Sequence, residues 1–293
     1  MKPFLSIIIP VYNDAESLKI CLRAVSKQTY LQNNFEVIIV NNGLDKLENL
    51  NELGLIKNLR INSEPKQSQF AARNNGVKSA TGNILVFTDA DCVPESQWLE
   101  EGVKCLLSQK GCGIVGGAVH FLFEEDSPNI IELYDSLFFL QQKRYVEEIG
   151  FAVTANLFTF KEIFNECGLF DERLKSGGDG EWGKRVYGSG YQVLYAPNAA
   201  VCHPARSNLS ILLKKIRRVT GGKYIRENRA SESVYRFWKT NVQEMLFGIN
   251  RIIRLEGIKL LPKTRLLLIE IVVQLSKMHE LFKLKQGKIP ERQ

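Results

Sequence analysis

Residues 4–11 form an unbroken apolar run dominated by isoleucine, and a run without a polar face is stable as a strand covered on both sides. The same signature returns at residues 35–40 and 84–87, with a shorter strand at 59–62. Between these runs the spacing turns helical. Asn13-Asp14-Ala15-Glu16 gives a capping-box signature, and Leu18, Cys21, Leu22 and Val25 repeat on one helical face. Further helix-like stretches cover residues 47–56 and 69–80, the latter ended by Gly82. This alternation predicts a mostly parallel open sheet with right-handed crossovers and helices on both faces. Ligands of such sheets lie beyond the carboxyl ends of the strands. Residues 12–14, 41–43 and 89–91 are therefore predicted to converge on one cleft.

From Gly113 the regular alternation stops. Residues 114–123 read as a strand, 129–146 as one helix, 153–160 as a strand, and 191–195 and 199–202 as two short strands. This middle portion is the expected place for an acceptor pocket. After Pro204 the chain is helical in character, so the expected organisation is an α/β catalytic domain over residues 1–204 and a helical, basic extension over 205–293. The net charge of +7 favours anionic partners. Its excess is concentrated where Lys214, Lys215, Arg217, Arg218, Lys223, Arg226 and Arg229 stand against Glu227. Residues 266–275 are the most apolar stretch, but Glu270 interrupts them and Arg265 and Lys277 flank them. A bilayer span needs about 20 apolar residues, so a buried or amphipathic helix is expected instead.

Six cysteines are scattered without a CxxC pair, which predicts reduced packing residues rather than a zinc site. The first apolar run is too short for a signal-peptide core, placing the expected catalytic part in the cytoplasm. No zinc finger or other nucleic-acid reading motif occurs, and no nucleic-acid partner is expected.

Asp89-x-Asp91 directly after a buried strand sets two carboxylates on one turn, a donor pair suited to Mg²⁺ or Mn²⁺ and, through the ion, to substrate phosphates. The plainer reading is an acidic turn in which Asp89 caps residues 92–95. Other motifs stand with it: Ser6-Ile-Ile-Ile-Pro-Val-Tyr-Asn13, Val37-Ile-Ile-Val-Asn-Asn-Gly43, Ala72-Arg73-Asn74-x-Gly76 followed by Ala80-x-Gly82, and Gly177-Gly178-Asp179-Gly180-Glu181-Trp182. In this order, across about two thirds of the chain, the set resembles the family 2 glycosyltransferases of the GT-A fold.

The resemblance implies a GT-A type nucleotide-binding sheet, a nucleotide-diphosphate sugar donor, an Mn²⁺ or Mg²⁺ cofactor, inversion at the anomeric carbon, and a role in polysaccharide biosynthesis at the cell envelope. Carried over residue by residue, Pro10, Tyr12 and Asp14 line the base and ribose side of the donor pocket. Asn42 stands where many relatives have an aspartate that accepts the uracil N3 proton; its amide oxygen still accepts, without the charge. Uridine is the expected base, with thymidine and guanosine open. Arg73 is assigned to the nucleotide side of the cleft, or else to a helix-surface ion pair. Asp89 is assigned to ribose or metal waters and Asp91 to the metal.

Asp179 is the expected general base with Glu181 in reserve; Asp179 also suits a cap for the helix beginning near Glu181. His203 is a candidate third metal ligand or a structural histidine, and Trp182 a candidate acceptor contact or a packing residue. The expected acceptor is a saccharide or lipid-linked saccharide, with peripheral contact to the cytoplasmic face of a membrane through the basic C-terminal helices; a helical cap with a solvated basic face is the other reading. A catalytically degenerate binding or scaffold protein is the alternative function. A nucleotidyltransferase or dinucleotide-dependent dehydrogenase is disfavoured, because no glycine-rich loop follows the first strand.

Overall fold

The computed structural model describes residues 2–44, 47, 54–227, 234–257 and 259–288, without the side chains of 234–238. β1 (Leu5–Val11) feeds α1 (Ala15–Ser26), whose N-terminus is capped by the Asp14 carboxylate accepting from the Ser17 amide at 3.2 Å. β2 (Phe35–Asn41) and β3 (Leu59–Ser63) follow; the helix expected over 47–56 falls largely outside the described residues. α2 (Gln69–Ser79) leads through an extended Ala80 into β4 (Ile84–Thr88). β1, β2 and β4 are buried along nearly their whole length, which is why each reads as a continuous apolar run.

β5 (Val93–Pro94), α3 (Trp98–Leu106) and β6 (Cys112–Leu122) come next. The single helix expected over 129–146 is corrected: α4 (Ile130–Phe138) ends at an extended Phe139, and Leu140 takes a left-handed φ of 49° before α5 (Gln142–Arg144) and a π turn over Tyr145–Ile149. β7 (Asn156–Phe160), α6 (Lys161–Cys167) and α7 (Gly178–Gly188) follow, then β8 (Gln192–Pro204), α8 (Leu209–Arg226), α9 (Val234–Ile253) and α10 (Leu260–Lys285).

The eight strands form one sheet in the order β3-β2-β1-β4-β7-β6-β8-β5. The pairs β2–β3, β1–β2, β1–β4 and β6–β8 are parallel, and β7 lies antiparallel to both β4 and β6. β1, β2 and β4 therefore end on one edge, as the alternation requires. At their opposite ends, buried Glu36 accepts from Ser6 Oγ and from the amide and hydroxyl of Thr81, each at 2.7 Å, and from Arg60. Burial raises this carboxyl, but the hydrogen bonds outweigh it and hold the acid below its ordinary value.

The two short strands expected at 191–195 and 199–202 are one strand with a bulge. In the β6–β8 register Gly117 faces Ala196 and Val119 faces Val201, so residues 197–200 stand opposite Ala118 alone. The fully buried Asn156 amide fills this break: Nδ2 donates to Ala118 O and Ala199 O at 2.8 Å each, and Oδ1 accepts from Trp98 Nε1 at 2.8 Å. A Cβ on Gly117 would lie 2.2 Å from Ala199 O; only glycine allows the approach.

Contacts divide the chain into two compact units. The first holds Met1–Leu122, Leu140–Arg173 and Gly178–Pro204, with its core on the buried strands; the second holds Phe123–Phe139, Leu174–Gly177 and Ala205–Gln293. In the second, Ile131, Tyr134, Leu212, Ile216, Ile252, Leu266 and Val273 form the core. Buried Asp135 there accepts from Arg206 at 3.1 Å, with Lys215 at 3.6 Å. Desolvation pushes the Lys215 ammonium down to about 7.

Asn156→Leu keeps the branched shape and the number of side-chain heavy atoms but strands the Trp98 N–H and two carbonyls without partners. It is expected to lower unfolding free energy by about 3 kcal/mol in a denaturant melt, at about 1 kcal/mol per lost bond; a loss under about 1 kcal/mol would contradict the role given to this amide.

Candidate active site

Each group in the cleft is set by a strand end or a helix that the sheet fixes in place. β4 delivers Asp89, and the turn after it closes with the Cys92 amide donating to Asp89 O at 3.1 Å. That turn throws Asp91 back toward β8. The antiparallel pairing of Val93 with Cys202 then brings the next residue of β8, His203, against Asp91, with Nε2 3.6 Å from Oδ2. Asp89, Asp91 and His203 each offer a ligand atom, and these atoms lie within 4.8 Å of one another.

The chemistry of this donor set fits a divalent ion. His203 is 5 % exposed, stands edge-on to Phe121, and has Nδ1 2.7 Å from Pro204 O. A carbonyl only accepts, so Nδ1 donates to it and Nε2 is the ring nitrogen facing the carboxylates, the usual arrangement of a ligating imidazole. Two half-buried carboxylates and one imidazole suit Mn²⁺ or Mg²⁺ better than a thiol-seeking metal.

Arg73 on α2 is 3 % exposed and donates from Nη2 to Asp89 Oδ1 at 2.6 Å. It is thus a buried ion pair at the cleft rather than a helix-surface one. Nη1 is held more loosely by Gln69, at 3.3 Å to its carbonyl, and buried Nε has no hydrogen-bond partner among the described residues. The pair ties the charge of Asp89 to the helix after β3, and a carboxylate so held has one oxygen left for another cation.

Asp179 lies in the first turn of α7 and accepts from its neighbour Gly180 at 2.9 Å and from the Thr154 amide. A capping role is met only in part: the carboxylate takes one helix-start amide, that of Gly180, from the second residue of the helix rather than from the residue before it. Glu181 is gripped by Arg185 through both oxygens, at 2.7 and 3.0 Å, and Arg185 also donates to Cys167 O and Leu169 O. Trp182 is corrected from an acceptor contact to a core side chain. It is fully buried, stacked on Phe164 at 4.4 Å, with Nε1 donating to Gly168 O.

On the donor side, Asn42 is buried and its Nδ2 donates to Glu64 O at 2.8 Å and Lys66 O at 2.7 Å. Both amide protons are spent, so the orientation is fixed and Oδ1 is the group left to accept. Asn13, at φ 49°, accepts from the Leu44 amide at 2.8 Å, and a Cβ on Gly43 would fall 2.2 Å from its Oδ1. This locks the β1 and β2 turns together. Tyr12 is 41 % exposed beside them, Pro10 is half-buried near the end of β1, and Asp14 is committed to its cap.

Sequence reasoning missed two positioning groups. Thr154 holds Asp179 through its backbone. Buried Asn74 exchanges hydrogen bonds with Phe170, at 2.9 and 3.0 Å, and donates to Glu172 at 3.0 Å, fixing the segment before α7. An asparagine in mid-helix, where propensity is poor, was the available signal for the second; backbone contacts leave no signal for the first.

Burial is the largest influence on Asp179 and raises its carboxyl above the ordinary 3.8, against the pull of Arg73 and the amides of Gly180 and Thr154. A raised carboxyl supports folding fully below its unfolded-state pKa and loses that support as pH rises through the folded-state value. Asp179→Asn is therefore expected to melt above the wild type at neutral pH, the gap closing below about pH 4. No gap, or one that widens in acid, would contradict a desolvated carboxylate.

The model of the family described as Glycosyl transferase family 2 matches residues 6–168. Glycosyltransferase AglE of Haloferax volcanii is 40 % identical over 221 residues, covering 73 % of this chain and 71 % of that protein. A dolichyl N-acetyl-alpha-D-glucosaminyl phosphate 3-beta-D-2,3-diacetamido-2,3-dideoxy-beta-D-glucuronosyltransferase of Methanococcus voltae is 25 % identical over 225 residues, covering 72 % and 70 %. Among solved structures, the mannosyltransferase PcManGT of Pyrobaculum calidifontis in complex with GDP-Man and Mn²⁺ aligns with a TM-score of 0.62 at 19 % identity, covering 98 % of this chain and 85 % of that one. TarS of S. aureus in complex with UDP-GlcNAc aligns with a TM-score of 0.55 at 13 % identity, covering 97 % and 91 %. At these identities the two structures show a shared GT-A fold, while the profile and the 40 % relative carry the assignment: this chain is a glycosyltransferase of family 2.

Proposed function

We propose that this enzyme transfers a sugar, with inversion, from a nucleoside-diphosphate donor to a hydroxyl of a saccharide or lipid-linked acceptor, using Asp179 as base and a divalent metal at Asp89, Asp91 and His203. The observation that carries the reading is the Asp-Asp-His cluster with its imidazole tautomer set by Pro204. Bound there, Mn²⁺ or Mg²⁺ would neutralise charge on the departing diphosphate. UDP is the proposed nucleotide, because Asn42 presents an acceptor oxygen suited to the uracil N3 proton.

The chain's own groups divide the remaining work. Asp91 and His203 hold the donor end of the cleft. Arg73, fixed on Asp89, keeps a permanent positive charge beside the leaving group, worth most where water is excluded. Asp179 takes the proton of the incoming hydroxyl as the new bond forms. Its raised pKa makes the carboxylate a stronger base than a solvated aspartate. Glu181, neutralised by Arg185, is poorly suited to that step.

The Methanococcus voltae relative is named for a dolichyl-phosphate-linked acceptor, which supports a lipid-linked saccharide here and a peripheral position on the cytoplasmic face of a membrane. No described helix is long and apolar enough to cross one.

A melt of the purified protein against UDP, GDP and dTDP, each with and without Mn²⁺, tests the donor side. UDP with Mn²⁺ is expected to stabilise by about 2.7 kcal/mol at a hundredfold excess over Kd, and Asp91→Ala to abolish the metal-dependent part. Asp179→Asn is expected to keep that shift and lose about 10²- to 10⁴-fold in turnover. Turnover within a few-fold of wild type would remove Asp179 from its role; stabilisation by none of the nucleotides would remove the donor assignment.

A further inference from the structure

α10 buries both of its acids and leaves a second apolar face to solvent. Its acids, Glu270 and Glu280, are 1 % and 0 % exposed. Glu270 accepts from Tyr134 Oη and Gln274 Nε2, both at 2.5 Å, and Glu280 from Lys283 at 3.1 Å. Leu266, Val273, Leu281 and Leu284 are buried beside them, but a second set of large apolar side chains points the other way. Leu261, Leu268, Ile271, Leu275 and Phe282 are between 47 % and 64 % exposed, and their spacing puts them on one helical face. At 1.5 Å per residue this stripe runs about 32 Å along the helix.

The charges around the stripe carry one sign. By helical spacing Arg265 and Lys283 flank one side of it and Lys285 the other, while α10 exposes no acid. α9 bears a shorter version, with Val242, Leu246 and Ile253 exposed at 44 %, 56 % and 58 %.

We propose that the outward face of α10 lies in the plane of an anionic bilayer, its apolar stripe at the boundary of headgroups and acyl chains and its cations at the phosphates. This deepens the peripheral-membrane part of the function proposed above and names the surface and lipid class. Charge decides the occupant. A second copy seated on the same stripe brings like charges at Arg265 and Lys285 together, whereas anionic headgroups neutralise them. A stripe on a helix too polar to span is suited to lie flat and hold the enzyme where lipid-linked saccharides are.

The full chain is sedimented with vesicles of phosphatidylcholine and with vesicles in which about a third of the lipid is phosphatidylglycerol. Binding is expected only to the anionic vesicles. It should fall at least tenfold for Leu268→Gln/Leu275→Gln/Phe282→Gln and severalfold for Arg265→Gln/Lys285→Gln, whose exposed positions leave the fold and the UDP–Mn²⁺ melt unchanged. Absence of binding to anionic vesicles overturns the proposal. So does undiminished binding of the triple variant, or a wild-type dimer in light scattering that the triple variant converts to monomer. The donor melt is made without lipid, so failure of the transferase reading and failure of this one show in different experiments.

Discussion

The Asn156 side chain makes the rest of the site constructible. A ladder in which residues 197–200 oppose one residue leaves backbone carbonyls inside the sheet with no strand to receive them, and buried unpaired carbonyls are costly. One amide takes two of them and the Trp98 indole as well. With the break satisfied, β8 re-enters pairing with β6 and extends to β5, where Val93 faces Cys202. Only this register sets His203 against Asp91. A polar node in the sheet thus determines a histidine at its edge.

The cleft then shows an uneven charge balance. Asp89, Asp91 and Asp179 converge, and Arg73 answers them chiefly through Asp89. The negative potential left over is what a divalent cation relieves, and a bound cation in turn makes the cleft attractive to a diphosphate. The same imbalance, with burial, keeps the Asp179 carboxyl raised. In the proposed reaction, binding and base strength come from one arrangement of charges, held before any substrate arrives, so little reorganisation is required during transfer.

Much of this was legible in the residues. β1, β2 and β4 show as continuous apolar runs because both faces are covered, and Asp89-x-Asp91 follows the last of them directly. The legible part ends where structure depends on particular pairings. Pro197-Asn198 looks like a turn between two strands, and only the Asn156 contacts make it a bulge within one. Leu140 breaks a helix-like run without a glycine or proline, because its left-handed backbone comes from tertiary packing rather than propensity. Trp182 beside two acids suggested a sugar platform, yet Phe164 and Phe170 claim its ring. Thr154 acts through its own backbone amide, for which spacing in sequence offers no code.

The account stands on the proposed histidine-bearing metal site, and pulsed electron paramagnetic resonance of the protein with Mn²⁺ and UDP addresses it directly. The chain has three histidines, His120, His203 and His279, so an imidazole nitrogen coupling can be assigned by substitution. The coupling is predicted in the wild type, retained in His120→Ala and His279→Ala, and lost in His203→Ala. A coupling that survives His203→Ala, or its absence from the wild type with Mn²⁺ bound, would contradict the site described.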